Sequence, residues 1–292
     1  MYPAAIDHYL RPDTLEQALE AVVQHADDDA VFIAGGQSLM QAMKSRMLRP
    51  RCVIDLQALS ELRGITRAGP ELRIGAMTRY CEIAEDTSLD GAFSALRDAA
   101  THVGDRQVRN RGTIGGSVCW NYMASCMPAV NLALNAGLEL RSAARGAREV
   151  KADDFFFGPL ETAREDDELL IELRFQAGKR QGSAYSKWGL VQDALPVVGV
   201  CVAVTLDDSD RCADVRIAIS GLSAGCQRGA AGEASLLDSD GSGQAIARAM
   251  DAIATSLETH SDASATAEYR RQLIRTIGQE VAERAFARAR AA

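Results

Sequence analysis

The chain lacks most of the features that announce a function outright. No Gly-x-Gly-x-x-Gly follows its first strand-like run, and no Gly-x-x-x-x-Gly-Lys-Ser/Thr occurs. A Rossmann dehydrogenase or a P-loop NTPase is therefore a poor reading, and a serine-hydrolase elbow is not expected either. None of the seven cysteines forms Cys-x-x-Cys, and no histidine stands close enough in sequence to complete a zinc-like set. The four histidines, His8, His25, His102 and His260, are scattered and read as surface or packing residues. No apolar run approaches the length of a membrane span, and Met1-Tyr2-Pro3-Ala4 lacks a signal-peptide pattern. Excess positive charge is also missing. The formal net charge is -8, so a sequence-independent grip on nucleic acid is not expected. These absences point to a reduced, cytoplasmic protein.

What is present is ordinary in bulk and unusual in two places. The 292 residues are 47% hydrophobic and 25% charged, enough for two domains with their own cores. The unusual stretches are Ala34-Gly35-Gly36-Gln37-Ser38 and Arg111-Gly112-Thr113-Ile114-Gly115-Gly116-Ser117. Glycine lets another group approach the backbone closely, and successive free N–H groups form a concave nest for a phosphate oxygen. Two such turns, each trailed by hydroxyl side chains, suit one pyrophosphate closed between them. Two structural turns account for the same residues. Arg106, Arg109 and Arg111 form a local basic patch, which a bound dianion or a solvated basic turn would equally explain. The acids of Asp27-Asp28-Asp29 and Asp207-Asp208 fall where turns are expected and read as solvated turn residues.

The pattern along the chain predicts the elements around these turns. Asp13-Thr14-Leu15-Glu16 reads as a capping box with Asp13 as N-cap, opening a helix with Leu15, Ala18, Leu19, Val22 and Val23 inward. Ala30–Ala34 and Cys52–Asp55 are short apolar runs suited to buried strands, with a helix from Ser38 to about Arg46 between them. Glu71–Gly75 alternates as a half-exposed strand, and helices are expected at Tyr80–Glu85, Phe93–Val103 and Met127–Ala136. Strands at Leu138–Arg141 and Glu168–Phe175 complete an α+β domain. The polar, glycine-rich stretch Gln176–Ser183 marks a boundary. Beyond it come β-prone runs at Val197–Leu206 and Val215–Ser220, a loop over Gly225–Gly243, and a helix over Ala263–Ala291. This predicts a small antiparallel sheet packed by C-terminal helices.

The two glycine stretches, together with Val53-Ile54-Asp55-Leu56, Ile74-Gly75-Ala76-Met77-Thr78, Glu168-Leu169-Leu170 and Tyr185-Ser186-Lys187, give the chain a resemblance across nearly its whole length. It resembles the FAD-binding medium subunit of the molybdenum hydroxylases, the xanthine dehydrogenase and carbon monoxide dehydrogenase family. The resemblance implies a two-part FAD-binding domain of the vanillyl-alcohol oxidase (PCMH) type at 1–177, and the family's flavoprotein C-terminal domain at 184–291. FAD would be held by Phe32, Ile33, Ala34, Gly35, Gly36, Gln37, Ser38 and Leu39, and by Thr113, Ile114, Gly115, Gly116 and Ser117. Cys126 stands where the family often contacts FAD, and Leu169 and Lys187 would match positions near the isoalloxazine ring. A cation there would stabilise negative charge on a reduced flavin. Partners would be a large molybdenum–pterin subunit, where substrate is hydroxylated, and a small subunit with two [2Fe–2S] clusters, assembled as a dimer of heterotrimers. Electrons would pass from the clusters to this FAD and on to an external acceptor. The chain departs from the family at Tyr122, Cys126 and Leu190, where relatives carry two acids and an arginine. A stand-alone flavin reductase or oxidase, and a structural subunit with weakened flavin binding, are the alternative readings. A Gly115→Val side chain is expected to block the pyrophosphate while leaving the fold largely intact.

Overall fold

A computed structural model describes residues 5–292; the reading of Met1–Ala4 lies outside them. The first unit is a three-stranded parallel sheet. His8–Leu10 (β1) is followed by helix α1 (Leu15–Gln24), Val31–Ile33 (β2), α2 (Leu39–Lys44) and Cys52–Asp55 (β3). The spatial order is β1-β3-β2, with Tyr9 opposite Val53 and Phe32 opposite Ile54. Leu15, Ala18, Leu19 and Val22 of α1 pack on Cys52 and Ile54, whereas Val23 is exposed. The start of α1 lies one residue later than the pattern predicts. Thr14 is the N-cap and accepts from the Gln17 N–H, while the Gln17 amide oxygen accepts from the Asp13 N–H. The Thr14 hydroxyl thus caps the helix, and the Gln17 side chain reaches back past it to the Asp13 N–H, so Asp13 contributes its backbone donor and not its carboxylate. Strand β2 is half-buried rather than fully buried.

The second unit is an antiparallel sheet with helices on one side. Ile65–Ala68 (β4) and Glu71–Gly75 (β5) form a hairpin. Helices then run through Tyr80–Glu85 (α3), Ser94–His102 (α4), Arg106–Arg109 (α5), Ile114–Trp120 (α6) and Cys126–Ala133 (α7). Gly137–Ser142 (β6), Gly146–Lys151 (β7), the short helix Ala152–Phe155 (α8), and the small hairpin Phe156–Gly158 (β8) with Glu161–Thr162 (β9) lead to Leu169–Gln176 (β10). The sheet order is β4-β5-β10-β6-β7. Thus β10, late in the chain, sits at the centre and closes the unit between β5 and β6.

The third unit has the sheet β11 (Gln181–Trp188), β12 (Val198–Leu206), β13 (Cys212–Ser220) and β14 (Gln227–Arg228), in that order. Helices α9 (Ala230–Leu236), α10 (Gly243–Ser256) and α11 (Ala267–Arg290) follow. The run Val198–Leu206 is buried on both faces because β12 divides two cores. Val198, Val200, Val202 and Val204 face α10 and α11, whereas Cys201 and Ala203 join the core of the second unit with α4 and α7. Period-two alternation of two apolar sets is what an internal strand requires. Two expectations are corrected here. Gln181–Ser183 begin a strand, so the linker between the sheets shrinks to 177–180, and the stretch Gly225–Gly243 contains β14 and α9 rather than only loop. Ala and Glu in Ala230–Leu236 support that helical turn despite the flanking glycines.

The antiparallel units are also joined by charged contacts, one between Asp153 on α8 and Arg216 and Arg228 of the third unit, another at Asp98. Asp98 on α4 accepts from both terminal nitrogens of Arg288 on α11, at 2.6 and 3.1 Å, and from the Tyr185 N–H at 3.1 Å. Beside it the Ala95 N–H donates to the buried Ser183 hydroxyl. All seven cysteines are free. Among the described residues, no helix is long and apolar enough to cross a membrane. Asp98→Ala leaves a backbone donor and a guanidinium without their acceptor, at a cost of about 1–3 kcal/mol. Urea unfolding of the variant is expected to show that loss, and a change within a few tenths would contradict the contact's role.

Candidate functional site

The carboxyl ends of parallel strands form crevices that accept ligands, and here β2 and β3 open into one. A cleft of about 340 Å³ is lined by Tyr9, Ile33, Gly35, Gly36, Gln37, Lys44, Asp55, Gln57 and Arg111, among others. A smaller one of about 80 Å³ lies on the other side of Gly35, bounded by Arg63, Met77, Arg79, Arg111 and Thr113 among others. Gly35, Gln57 and Arg111 belong to both.

The loop after β2 is built for an anion. From Gly35 through Leu39, five consecutive backbone N–H groups have no hydrogen-bond acceptor among the described residues. Gly36 holds a φ of +72°, a conformation that glycine adopts without strain. The Ser38 hydroxyl makes no capping bond to α2, which leaves it available as well. Lys44 and Arg111 add positive charge to the cleft wall, and neither has an acidic partner among the described residues. Tyr9 closes the cleft by donating its phenol to the Asp55 carboxylate, which raises the phenol's pKa. Asp55 also accepts from the Gln57 N–H at 2.9 Å, so this carboxylate is occupied by donors rather than bare.

The second glycine stretch plays a different part from the first. Thr113 caps α6 by accepting from the Gly116 N–H, and Ile114–Ser117 form the first turn of that helix. Their donors are already used. Gly112 donates to Val108 O, Ile114 to Thr78 O, Gly115 to Ala76 O and Ser117 to Thr113 O. Only the Thr113 N–H lacks an acceptor among the described residues. The expectation of exposed amides over 112–117 is therefore corrected: these glycines serve close packing. A Cβ on Gly35 would stand 2.0 Å from the Arg111 carbonyl oxygen, and one on Gly115 would stand 2.6 Å from the Ala76 Cβ. The absence of a side chain at Gly35 lets the first loop lie directly on the second, and at Gly115 it lets α6 lie directly on Ala76. The basic patch divides in the same way. Arg109 donates to the Val103 and Gly104 carbonyls, whereas Arg111 faces the cleft.

The remaining expected residues fall into two places. Leu169 opens β10 and is buried in the small core with Met77, against Phe32. Cys126 starts α7 and Lys187 lies near the end of β11, close enough that each influences the other's titration. Burial lowers the Lys187 ammonium and raises the Cys126 thiol, so the thiol is neutral at physiological pH. Lys187 donates to the Ala194 carbonyl, under a loop carrying exposed Leu190, Val191 and Leu195. Sequence reasoning missed Tyr9, Lys44, Asp55 and Gln57. Their only signal was topological: Tyr9 sits on β1, Lys44 ends α2, and Asp55 and Gln57 lie at and beyond the end of β3, elements whose spatial order the sequence does not state. It also passed over Gly221-Leu222-Ser223-Ala224-Gly225, which has the spelling of a nucleophile elbow. That segment is a turn between antiparallel β13 and β14 with Ser223 exposed, not a strand-to-helix corner.

Comparison with known proteins agrees with this geometry. Residues 4–175 match the family described as the FAD binding domain in molybdopterin dehydrogenase, and residues 183–285 the CO dehydrogenase flavoprotein C-terminal domain. The beta subunit of a caffeine dehydrogenase from a Pseudomonas strain is 39% identical over 174 residues, 60% of this chain and 58% of that one. The nicotine 6-hydroxylase medium subunit of Paenarthrobacter nicotinovorans is 33% identical over 269 residues, covering 92% of this chain and 93% of the relative. The solved carbon monoxide dehydrogenase of Hydrogenophaga pseudoflava, in a form lacking the Mo-pyranopterin moiety of its cofactor, superposes with a TM-score of 0.92 at 31% identity. It covers 99% of both chains.

Two residues of the second glycine stretch, Arg111 at the cleft and Gly115 in the packing behind it, call for opposite mutational outcomes. Arg111→Ala should fold normally and bind FAD about tenfold to a hundredfold more weakly, the worth of one charge-assisted hydrogen bond of about 1.5–3 kcal/mol. Gly115→Val should instead lose thermal stability, because its side chain meets Ala76 rather than a ligand. Fluorescence titration of FAD beside thermal melts separates them, and a well-folded Gly115→Val protein would contradict the packing role.

Proposed function

The chain belongs to the family of FAD-binding medium subunits of molybdenum hydroxylase complexes, and from that membership we propose that it relays electrons in a heterotrimer. The observation that carries the reading is the run of five acceptor-free N–H groups from Gly35 to Leu39 beside Lys44 and Arg111. A pyrophosphate carries two negative charges and many acceptor oxygens, and short N–H donors plus two cations complement both. Phe32–Leu39 would hold the FAD pyrophosphate and ribityl region from one side. Thr113–Ser117 would form the wall opposite, with the Thr113 N–H as its one open backbone donor.

FAD, when bound, accepts electrons from one partner and releases them to another. This chain's residues supply its surroundings. Lys187 would place a positive charge near the ring system, favouring the reduced and more negative form. Cys126, where relatives carry an acid, contributes a neutral thiol, so the negative charge of a carboxylate is missing beside Lys187. Leu169 would give the ring an apolar floor continuous with the small core. Cys119, Cys126, Cys201 and Cys226 belong to or pack on the central core while Cys52 and Cys212 lie in the others, and among the described residues no three cysteines bring their sulfurs to metal-ligand distance of one another. Thiolates so dispersed do not form the set of four that holds an iron–sulfur cluster, which supports a separate [2Fe–2S] subunit as electron donor. A large molybdenum–pterin subunit would hydroxylate the substrate, and the complex would be a dimer of such heterotrimers. The names of the relatives point to N-heterocycles such as caffeine and nicotine, or to carbon monoxide, as the class handled by the large subunit.

The test is the visible absorbance of the flavin. In the purified complex an N-heterocyclic substrate should bleach the flavin band within turnover time, while the isolated, FAD-loaded chain should remain yellow. Bleaching of the isolated chain by the same substrate would contradict the relay role.

A further inference from the structure

His8, His25 and Asp28 lie outside the nucleotide cleft and converge on one point. His8 and Tyr9 are consecutive on β1, so their side chains leave opposite faces of the small sheet. Tyr9 lines the cleft, and His8 stacks at 4.8 Å on His25, the residue that ends α1. Asp28 completes the group from the turn that follows. The ligand-capable atoms of the three all lie within 4.8 Å of one another. His25 Nδ1 is 2.9 Å from Asp28 Oδ2, and His8 Nε2 is 3.9 Å from the same oxygen.

We propose that these three residues form a site for a divalent transition metal of the zinc type, with two imidazole nitrogens and one carboxylate oxygen as protein ligands. Zinc binds nitrogen and oxygen at roughly 2.0–2.2 Å in tetrahedral geometry, which places neighbouring ligand atoms about 3.3–3.5 Å apart. The distances of 2.9 and 3.9 Å lie on either side of that spacing. Reaching it takes a small rotation of His8, whose side chain is 49% exposed, and a slight opening of the His25–Asp28 pair, and the fourth position stays open to water. The support behind the ligands is already in place. Arg51 Nη2 holds the other carboxylate oxygen of Asp28 at 2.5 Å and the Asp27 carbonyl at 2.9 Å, which turns Oδ2 toward the imidazoles. The backbone is pinned as well, since Asp28 N–H donates to His25 O and Arg51 N–H donates to Asp28 O. Groups that orient the ligands in this way tune metal sites. The Arg51 charge weakens attraction for a dication, so affinity should be micromolar rather than that of a buried structural zinc site. The metal would fasten β1 to the end of α1, and with it the strand that carries Tyr9 at the cleft.

Stripped of metal by a chelator, the full chain should bind zinc in a one-to-one calorimetric titration at neutral pH. His25→Ala should abolish that site, and His8→Ala and Asp28→Asn should each weaken it at least tenfold, with melting curves checking that every variant folds. Cobalt(II) should give weak visible bands with no thiolate charge-transfer band, which separates this site from the cysteines. Absence of a one-to-one site, an isotherm unchanged in the His8→Ala/His25→Ala double variant, or a thiolate band would each overturn the proposal.

Discussion

The structure depends on a stretch of backbone whose hydrogen-bond donors find no acceptor among the described residues. Nearly all buried main-chain N–H groups in folded proteins are paired. The five from Gly35 to Leu39 are partly exposed, so water can satisfy them, but phosphate oxygens make stronger, charge-assisted bonds. Keeping those donors free requires that the loop be held from behind. Arg111 and Gly112 do this, reaching Gly35 at a distance no side chain would permit. The second glycine stretch therefore matters because it is already satisfied: α6 is capped and anchored to Thr78 and Ala76, and so forms a rigid surface.

The flavin's other end draws on a different construction. Sheet β11–β14 is covered on one face by α10 and α11 and on the other by α4 and α7, with β12 contributing alternate residues to each core. This packing fixes β11 against the second unit, and the Asp98 contact with Arg288 and the Tyr185 N–H fastens the same place. Lys187 is thereby held next to Cys126, from a different unit, inside a half-buried neighbourhood. A cation so held exerts its field without first having to be ordered.

Much of this was legible in the sequence where local pattern and tertiary need coincide. Leu15–Val22, Cys52–Asp55, Glu71–Gly75 and Val198–Leu206 carry periodicities that match their burial. Gly35 and Gly36 line the cleft, whereas Gly115 and Gly116 line neither cleft and pack against Ala76 and Thr113. Gly35-Gly36 and Gly115-Gly116 read alike in sequence. Only the hydrogen-bond partners separate an open loop from the first turn of a capped helix. The one-residue shift from Asp13 to Thr14 has a similar cause, since either oxygen could cap and the Gln17 side chain decided between them. Lys44, Tyr9, Asp55 and Gln57 meet at the cleft because of strand order, which local pattern does not encode.

Backbone amide exchange, resolved by residue with and without FAD, tests the central claim most directly. Gly35 to Leu39 should exchange quickly in the flavin-free chain and become strongly protected on binding. Ile114 to Ser117 should be protected beforehand and change little. Protection gained at 114–117 with none at 35–39 would contradict the account.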